Sequence, residues 1–297
     1  MKFSARIITP GNASDVNDNG LVVGWTGSNT NAASQKAFVA VDGVPTVIPI
    51  NAYNSQSIAI GPDNEVVGTA TTADRSSVFG WKHEHNQLTM IPGLGGNLVQ
   101  PADTNGSVIV GSANRADRVT RAFRFEGGVT VDLGTLGGPG AVARAINARG
   151  TIAGDSRPSA SDRFMRPCLW RDGQVIQIGS SNRGNGWAYD INDADIAVGS
   201  DGNMAVRYEG NQSIVLSTMA AMATAINNDG WVVGYSRDGS NIGLLWVDGR
   251  QYDLNTITDG LDGVVVVNAN GINNHGEIVC TGIRGSSYVA LVLEPVA

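Results

Sequence analysis

Residues 145–156 read AINARGTIAGDS, and residues 225–236 read AINNDGWVVGYS. Both segments consist of a short apolar start, an Asn-x-x-Gly turn sequence and a second apolar run that contains a Gly near its end. Asn and Gly readily adopt the left-handed backbone conformations that tight hairpin turns require. Each segment is therefore predicted to form two antiparallel strands joined by a short turn.

The hairpin segment recurs along the whole chain. Related copies lie at residues 13–25, 59–70, 102–113, 190–201 and 271–282. The residue that follows the central apolar run is Gly24, Gly68, Gly111, Gly154, Gly199, Gly234 or Cys280, with steps of 35 to 46 residues between copies. Seven copies at this spacing, each with four short strands, are typical of a β-propeller.

Copy four illustrates the predicted strands. They read AVARAIN (141–147), TIAGDS (151–156), PCLWRDG (167–173) and QVIQIG (174–179). The third strand carries an aromatic residue in five copies, and packing between neighbouring blades explains these aromatics better than ligand binding does. They are Trp81, Phe125, Trp170, Tyr208 and Trp246.

The two ends of the chain complement each other. Copy seven supplies only three strands, while the segment KFSARIIT (2–9) precedes the first copy and resembles a fourth strand. Pairing the two would remove exposed sheet edges, which otherwise promote aggregation. The prediction is one all-β domain over residues 1–297: a seven-bladed β-propeller of four-stranded antiparallel blades, with the N-terminal strand completing the last blade.

The composition narrows the possible functions. The formal net charge of −7 argues against general nucleic-acid binding. No run of eighteen apolar residues occurs, so no membrane insertion is expected. The N-terminus MKFSARIITPGN lacks the long apolar segment of a secretory signal peptide. The expected location is nevertheless a bacterial cell surface or, after release by lysis, a phage particle.

Three features resemble metal or redox sites, and each has a structural explanation that we favour. Asp15, Asn17, Asn19 and Gly20 match the start of a calcium loop, but Thr26 replaces the carboxylate that such a loop needs at its twelfth position. A hairpin turn is the favoured interpretation, and no metal or cofactor is predicted. His83 and His85 could both bind a metal ion if they point to one side of a strand. A turn beside KHEHN explains them better. Cys168 and Cys280 are predicted to be buried free thiols.

The combination AINxxGxxVG, an apolar third strand ending in Gly, and LGTLGG resembles the bacterial HAF repeat family of extracellular repeat proteins. LGTLGG occurs within DLGTLGGPG (132–140), and a looser version is IPGLGGN (91–97). The resemblance covers all seven copies. It implies a surface-associated protein and names no biochemical activity.

Arginines concentrate in the loops that join the second strand to the third. These loops share one face with the connections between copies, and we call it the long-loop face; the hairpin turns form the opposite turn face. Arg offers a planar fork to carboxylates and phosphates. The long-loop face is therefore predicted to bind an acidic glycan, a lipopolysaccharide phosphate or a protein partner, although solvated Arg–Asp pairs would explain it equally simply. The candidate ligand-binding residues are Arg115, Arg118, Arg121, Arg157, Arg163, Arg166, Arg183 and Trp187.

No catalytic residues are predicted. The sequence has no Gly-x-Ser-x-Gly elbow, and GTLGGPGA lacks the Lys of a phosphate loop. The expected function is a non-catalytic binding propeller used for adhesion or assembly, with a protein partner or a surface glycan as ligand. The alternative from another class is a polysaccharide-cleaving propeller, a lyase or a hydrolase, with a carboxylate pair in its central channel.

Overall fold

The computed structural model of the chain describes residues 1–179 and 184–296. Their regular structure is almost entirely β. The exceptions are the α-helical turn α1 (Leu254–Ile257) and a 3-10 turn at Ala32–Ser34. None of the helices in this described part is long and apolar enough to span a membrane.

The strands follow the copies of the sequence repeat. A long first strand, β1 (Phe3–Val16), precedes the strands of copies one to three, which are β2 (Val22–Thr26), β3 (Lys36–Val41), β4 (Val44–Val47), β5 (Asn54–Ile60), β6 (Val66–Thr71), β7 (Val78–Glu84), β8 (Gln87–Ile91), β9 (Gly95–Thr104), β10 (Ile109–Arg115), β11 (Thr120–Glu126) and β12 (Val129–Asp132). Copies four and five contribute β13 (Ala141–Ile146), β14 (Ile152–Ser156), β15 (Arg166–Arg171), β16 (Gln174–Gln177), β17 (Gly186–Ile191), β18 (Ala197–Asp201), β19 (Met204–Glu209) and β20 (Gln212–Val215). Copies six and seven contribute β21 (Ala221–Ile226), β22 (Val232–Ser236), β23 (Gly243–Val247), β24 (Arg250–Asp253), β25 (Thr258–Asp259), β26 (Val265–Ile272), β27 (Ile278–Arg284) and β28 (Ser287–Pro295).

Within a copy, consecutive strands pair antiparallel. Copies four, five and six each form a separate four-stranded sheet, in the orders β13-β14-β15-β16, β17-β18-β19-β20 and β21-β22-β23-β24. The sheets of copies two and three join through one parallel pair, Val78 with Leu98. The predictions of an all-β chain and of four-stranded antiparallel units are therefore confirmed.

Strand β1 belongs to two copies at once. Residues from Phe3 to Pro10 pair antiparallel with β28, the last strand of copy seven, and residues from Gly11 to Val16 pair with β2 of copy one. Phe3 is fully buried in an apolar cluster that also contains Leu245 of copy six and Leu291 of copy seven. The two ends of the chain are thus held together by strand pairing and by a shared core.

The core lies between neighbouring copies. In copies two to six, the aromatic residue of the third strand packs in an apolar cluster with residues of the preceding copy. For example, Trp81 of copy two packs in one cluster with Val23 and Ala37 of copy one. Another cluster joins Val292 of copy seven to Phe38 of copy one. The predicted packing role of these aromatics is confirmed.

The hairpin turn predicted in copy one is also present. The N–H of Gly20 donates to the carbonyl of Asn17, whose own N–H donates to the carbonyl of Leu21. His83 lies on β7, but His85 lies in the following turn with a positive φ of 50°, so the two imidazoles do not share one side of a strand. Cys168 and Cys280 are buried and free, as predicted.

Candidate functional site

The innermost strand of each copy contains a β-bulge at the same place. One residue there is skipped in the pairing with the second strand. A bulge of this kind turns the extra side chain away from the regular ladder. The skipped residues are Ser14, Ile58, Ala102, Arg144, Tyr189, Thr224 and Asn270, and all of them line one cavity of about 200 Å³. We call this space the channel cavity, because every copy contributes to its wall.

The bulge explains the Gly that recurs in the second strand. At Gly199, an added Cβ would lie 1.9 Å from the carbonyl oxygen of Trp187, two residues before the skipped Tyr189. At Gly154, the corresponding distance to the carbonyl oxygen of Val142 is 2.0 Å. No real Cβ atom tolerates such an approach, so the bulge requires Gly opposite it. Copy seven has Cys280 instead, and its inner strand contains a second bulge between Val266 and Asn268.

A series of Asn side chains links neighbouring hairpin turns on the turn face. The side-chain amide of Asn147 donates to the carbonyl of Asn192 in the next copy at 3.0 Å, and Asn192 donates in turn to Asn227 at 3.2 Å. The series continues through Asn273, which donates to the carbonyl of Asn17 in copy one at 3.0 Å. These turns line a second cavity, of about 330 Å³, at the turn-face end of the channel.

Three carboxylates line the channel cavity, and two of them also line the cavity on the turn face. Asp15, Asp103 and Asp190 immediately follow the skipped residues of copies one, three and five. Asp15 accepts from the N–H of Val16 at 2.8 Å and from the N–H of Ile60 in copy two at 3.0 Å. The other two form the same pair of bonds with their own and the next copy. Each carboxylate therefore connects two copies.

The surroundings of these carboxyls raise their pKa values. Loss of contact with bulk water is the largest effect; it raises the pKa of Asp15 to about 6 and that of Asp190 to about 7, against the lowering effect of the backbone N–H groups. The same loss of water, reinforced by the charge of Asp15, raises the pKa of Asp103 well above its usual value.

These shifts predict a stability that increases as the pH falls from 8 to 5. In this window the folded chain takes up protons that the unfolded chain, with ordinary Asp pKa values, does not, so protonation favours folding. We expect the melting temperature to rise by about 2 °C or more, since that corresponds to roughly 1 kcal/mol for a chain of this size. Asp190→Asn should flatten this pH dependence, whatever its effect on the melting temperature itself. A melting temperature that falls steadily from pH 8 to pH 5 would contradict the raised pKa values.

Arg144 is the cation among the residues that line the channel cavity. Its Nε donates to the carboxylate of Asp155, which is buried on β14. Its guanidinium carbon lies 4.8 Å from the centre of the Tyr189 ring. Arg144 was not predicted as a site residue, because on a strand of alternating small residues it has the pattern of an ordinary exposed position.

The predicted long-loop arginines divide into two groups. Arg115 pairs with Asp117 at 3.3 Å, Arg121 with Asp132 at 3.0 Å, and Arg166 with Asp162 at 3.5 Å. The other three are exposed and form no ion pair with the described residues; they are Arg118, Arg157 and Arg163. Arg183 lies outside the described residues. Trp187 is half-buried on β17, directly beside Gly186 and opposite Ser200.

The connection between copies three and four brings part of this set together. Arg121 donates to the carbonyl of Pro139, and the N–H of Gly138 donates to the carbonyl of Arg157 at 2.9 Å. Residues 137–140, within the LGTLGGPG segment, therefore link the arginine loops of two neighbouring copies. These hydrogen bonds fix the arginine loops of copies three and four relative to each other on the long-loop face.

Several acidic side chains of the turn face are paired with cations. Lys82, Arg124 and Arg207 pair with Glu84, Glu126 and Glu209, each two residues further along the same strand. Asp195 accepts from both Arg149 and Arg171. Pairs within a strand and between neighbouring turns therefore offset part of the acidic charge on the turn face.

No group of three or more His, Cys, Asp or Glu side chains in residues 1–179 and 184–296 is arranged to hold a metal ion. No protein-family model matches the chain, and no curated protein matches it. Membership of the HAF repeat family therefore stays a prediction.

Solved structures with a similar backbone do exist. The propeller domain of the trilobed protease from Pyrococcus furiosus, described as having an open velcro topology, has a TM-score of 0.60 and 13% identity, and the match covers 97% of each chain. This likeness identifies a propeller-type fold, and two further structures agree with it. TolB from Acinetobacter baumannii has a TM-score of 0.54 and 12% identity over 92% of this chain and 65% of that one. A protein described as a TolB from Agrobacterium tumefaciens has a TM-score of 0.51 and 13% identity, with 99% and 98% covered.

Proposed function

We propose that the chain is a non-catalytic binding propeller that attaches to an acidic glycan or a protein partner at a bacterial surface or on a phage particle. The proposal includes seven blades in a closed ring, with β1 completing the last blade. The pairing of β1 with β28 and the amide bond from Asn273 to Asn17 support closure. A closed ring provides a rigid platform, which suits recognition by surface loops.

The observation that carries the binding proposal is the state of three long-loop arginines. Arg118, Arg157 and Arg163 are exposed and form no ion pair with the described residues, although Asp side chains are present in the same loops. A guanidinium without an internal partner retains its full capacity to bind an external carboxylate or phosphate in a two-bonded fork. Loops of adjacent copies present all three.

The test replaces the three arginines together, as Arg118→Ser, Arg157→Ser and Arg163→Ser. Binding to an array of acidic and neutral bacterial glycans, and to whole bacterial cells, should fall at least tenfold, because each charge-assisted bond contributes appreciably. The melting temperature should stay nearly unchanged, since exposed substitutions usually cost little. Binding by the unmodified protein should also weaken as salt is raised above about 0.1 M, where exposed charges are screened beyond roughly 10 Å.

The matched control removes three exposed arginines from the turn face, as Arg149→Ser, Arg171→Ser and Arg250→Ser. Both triple variants change the net charge equally. The turn-face variant also removes the ion pairs of Arg149 and Arg171 with Asp195, which involve exposed arginines and should contribute little to stability. If the turn-face variant loses binding and the long-loop variant keeps it, the binding face is assigned wrongly and assembly through the turn face becomes the better explanation.

The three channel carboxylates do not favour the polysaccharide-cleaving alternative. Each of them accepts hydrogen bonds from two backbone N–H groups, one on each oxygen. A general acid or a nucleophile must be aimed at the glycosidic bond, whereas these carboxyls are oriented by backbone N–H groups of two neighbouring copies. Their geometry instead supports a role in connecting neighbouring copies.

A further inference from the structure

Arg144 is an unusual residue in its position. The equivalent skipped residues in the other copies are neutral: Ser14, Ile58, Ala102, Tyr189, Thr224 and Asn270. Its partner Asp155 is 1% exposed, so a charged pair has been placed at the wall of the channel cavity. Such a pair loses much of its hydration and contributes little to stability compared with apolar residues of the same size. Stability alone therefore does not explain why copy four carries it.

The Arg144 side chain is held in place but not saturated. Its Nε is bound to Asp155 and its plane lies near the Tyr189 ring, while neither Nη atom has a hydrogen-bond partner among the described residues. The side chain is 27% exposed, on the cavity side of the strand. The hydroxyl of Tyr189 also has no partner in the described part of the chain. Two donors of different kinds thus face the same space.

The other polar groups of the wall are already engaged. The Thr224 hydroxyl lies 2.6 Å from the carbonyl oxygen of Ala269, to which it donates, and 3.1 Å from that of Val233. Asn270 donates to the carbonyl of Ala13 at 2.7 Å. The carboxylates of Asp15, Asp103 and Asp190 are held by backbone N–H groups, but each oxygen keeps a second lone pair for a further donor. The wall therefore offers one cation surrounded by hydrogen-bond acceptors.

We propose that the channel cavity binds a single saccharide unit that carries one carboxylate, a uronic acid, through Arg144 and Tyr189. The ligand carboxylate would occupy the free edge of the Arg144 guanidinium, and the sugar hydroxyls would donate to the surrounding acceptors. A cavity of about 200 Å³ is smaller than the roughly 300 Å³ that drug-sized ligands need, which fits one sugar ring. Arg144 is the one cation among the described residues of the wall, which matches a ligand with a single carboxylate. The site is separate from the long-loop arginines.

The test measures binding of galacturonate, galactose, acetate and a short neutral peptide with a free C-terminus by saturation-transfer NMR and calorimetry. Galacturonate should bind at least tenfold more tightly than galactose, which lacks the carboxylate, and than acetate, which lacks the ring. Equal binding of galactose, tighter binding of the peptide, or no binding of galacturonate would each overturn the proposal.

Two variants locate the site while protecting the fold. Arg144→Lys keeps a positive charge beside Asp155 but removes the planar fork, and Arg144→Gln with Asp155→Asn removes both charges together. Each variant that melts cooperatively should bind galacturonate at least tenfold more weakly. The long-loop triple variant should bind it with unchanged affinity, so failure of the surface-binding proposal remains distinguishable. Unchanged galacturonate binding by both Arg144 variants would overturn the assignment.

Discussion

Removal of residues 1–9 is expected to lower the free energy of unfolding by more than about 4 kcal/mol. The deletion removes nearly all of the pairing between β1 and β28, which runs from Phe3 opposite Pro295 to Thr9 opposite Ala290 with one register shift between Ile7 and Thr9. It also removes the fully buried Phe3 ring, and a Phe→Ala change in a core alone costs about 3–5 kcal/mol. The edge of β28 that now pairs with β1 would be left exposed, while residues Gly11–Val16 would still pair with β2. Thermal and urea unfolding measure the loss.

Two single substitutions distinguish the effect of losing the whole strand from the effect of losing one side chain. Phe3→Ala keeps the strand and removes only the buried ring, so it should account for roughly 3 kcal/mol of the effect. Lys2→Ala changes an exposed residue whose ion pair with Asp259 is open to solvent, and it should be nearly neutral. A deleted protein that melts at the wild-type temperature would show that the N-terminal strand does not complete the last blade.

Gly199→Ala is expected to destabilise the protein by at least about 3 kcal/mol. The new methyl group would lie 1.9 Å from the carbonyl oxygen of Trp187, so the bulge at Tyr189 must distort or the two strands must separate. Overpacking in a core commonly costs about 1–3 kcal/mol, and a contact with rigid backbone lies at or above the upper end of that range. The unfolding free energy in urea is the measurement.

Gly140→Ala provides the matched control. Gly140 has no positive φ, and an added Cβ would meet only the carbonyl oxygen of Thr120, at 3.7 Å, an ordinary contact distance. This variant should be neutral or slightly stabilising, because Ala restricts the unfolded chain more than Gly does. Equal effects of the two substitutions would mean that the recurring Gly is a feature of the turn sequence and not a consequence of the bulge.

The architecture of each copy was largely predictable from the sequence. The spacing of the Asn turns and of the Gly residues predicts the four strands of copy four to within a few residues of β13 to β16. The third-strand aromatics were correctly placed in the core. These features depend on local patterns of two to four residues, which a single sequence displays directly.

The channel was not predictable by the same route. In AVARAIN the residues Ala141, Ala143 and Ala145 alternate as in a regular strand, so Arg144 is assigned to one side of a flat ladder. The bulge becomes detectable only through the consecutive buried pair Ala145 and Ile146, which breaks the alternation. The link from Asn147 to Asn192 spans 45 residues, and the sequence shows only that Asn suits a turn. Contacts between copies depend on how the units are arranged around the channel.

We propose that the protein binds a surface ligand through its long-loop face without modifying it. The most direct measurement incubates the protein with the acidic polysaccharides that it retains on the glycan array, and records both the bound fraction and the length of the polysaccharide chains. We predict retention by the unmodified protein, loss of retention by the Arg118, Arg157 and Arg163 triple variant, and polysaccharide chains of unchanged length throughout. Shortened chains or new unsaturated ends, produced by the purified protein, would contradict the account and identify an enzyme.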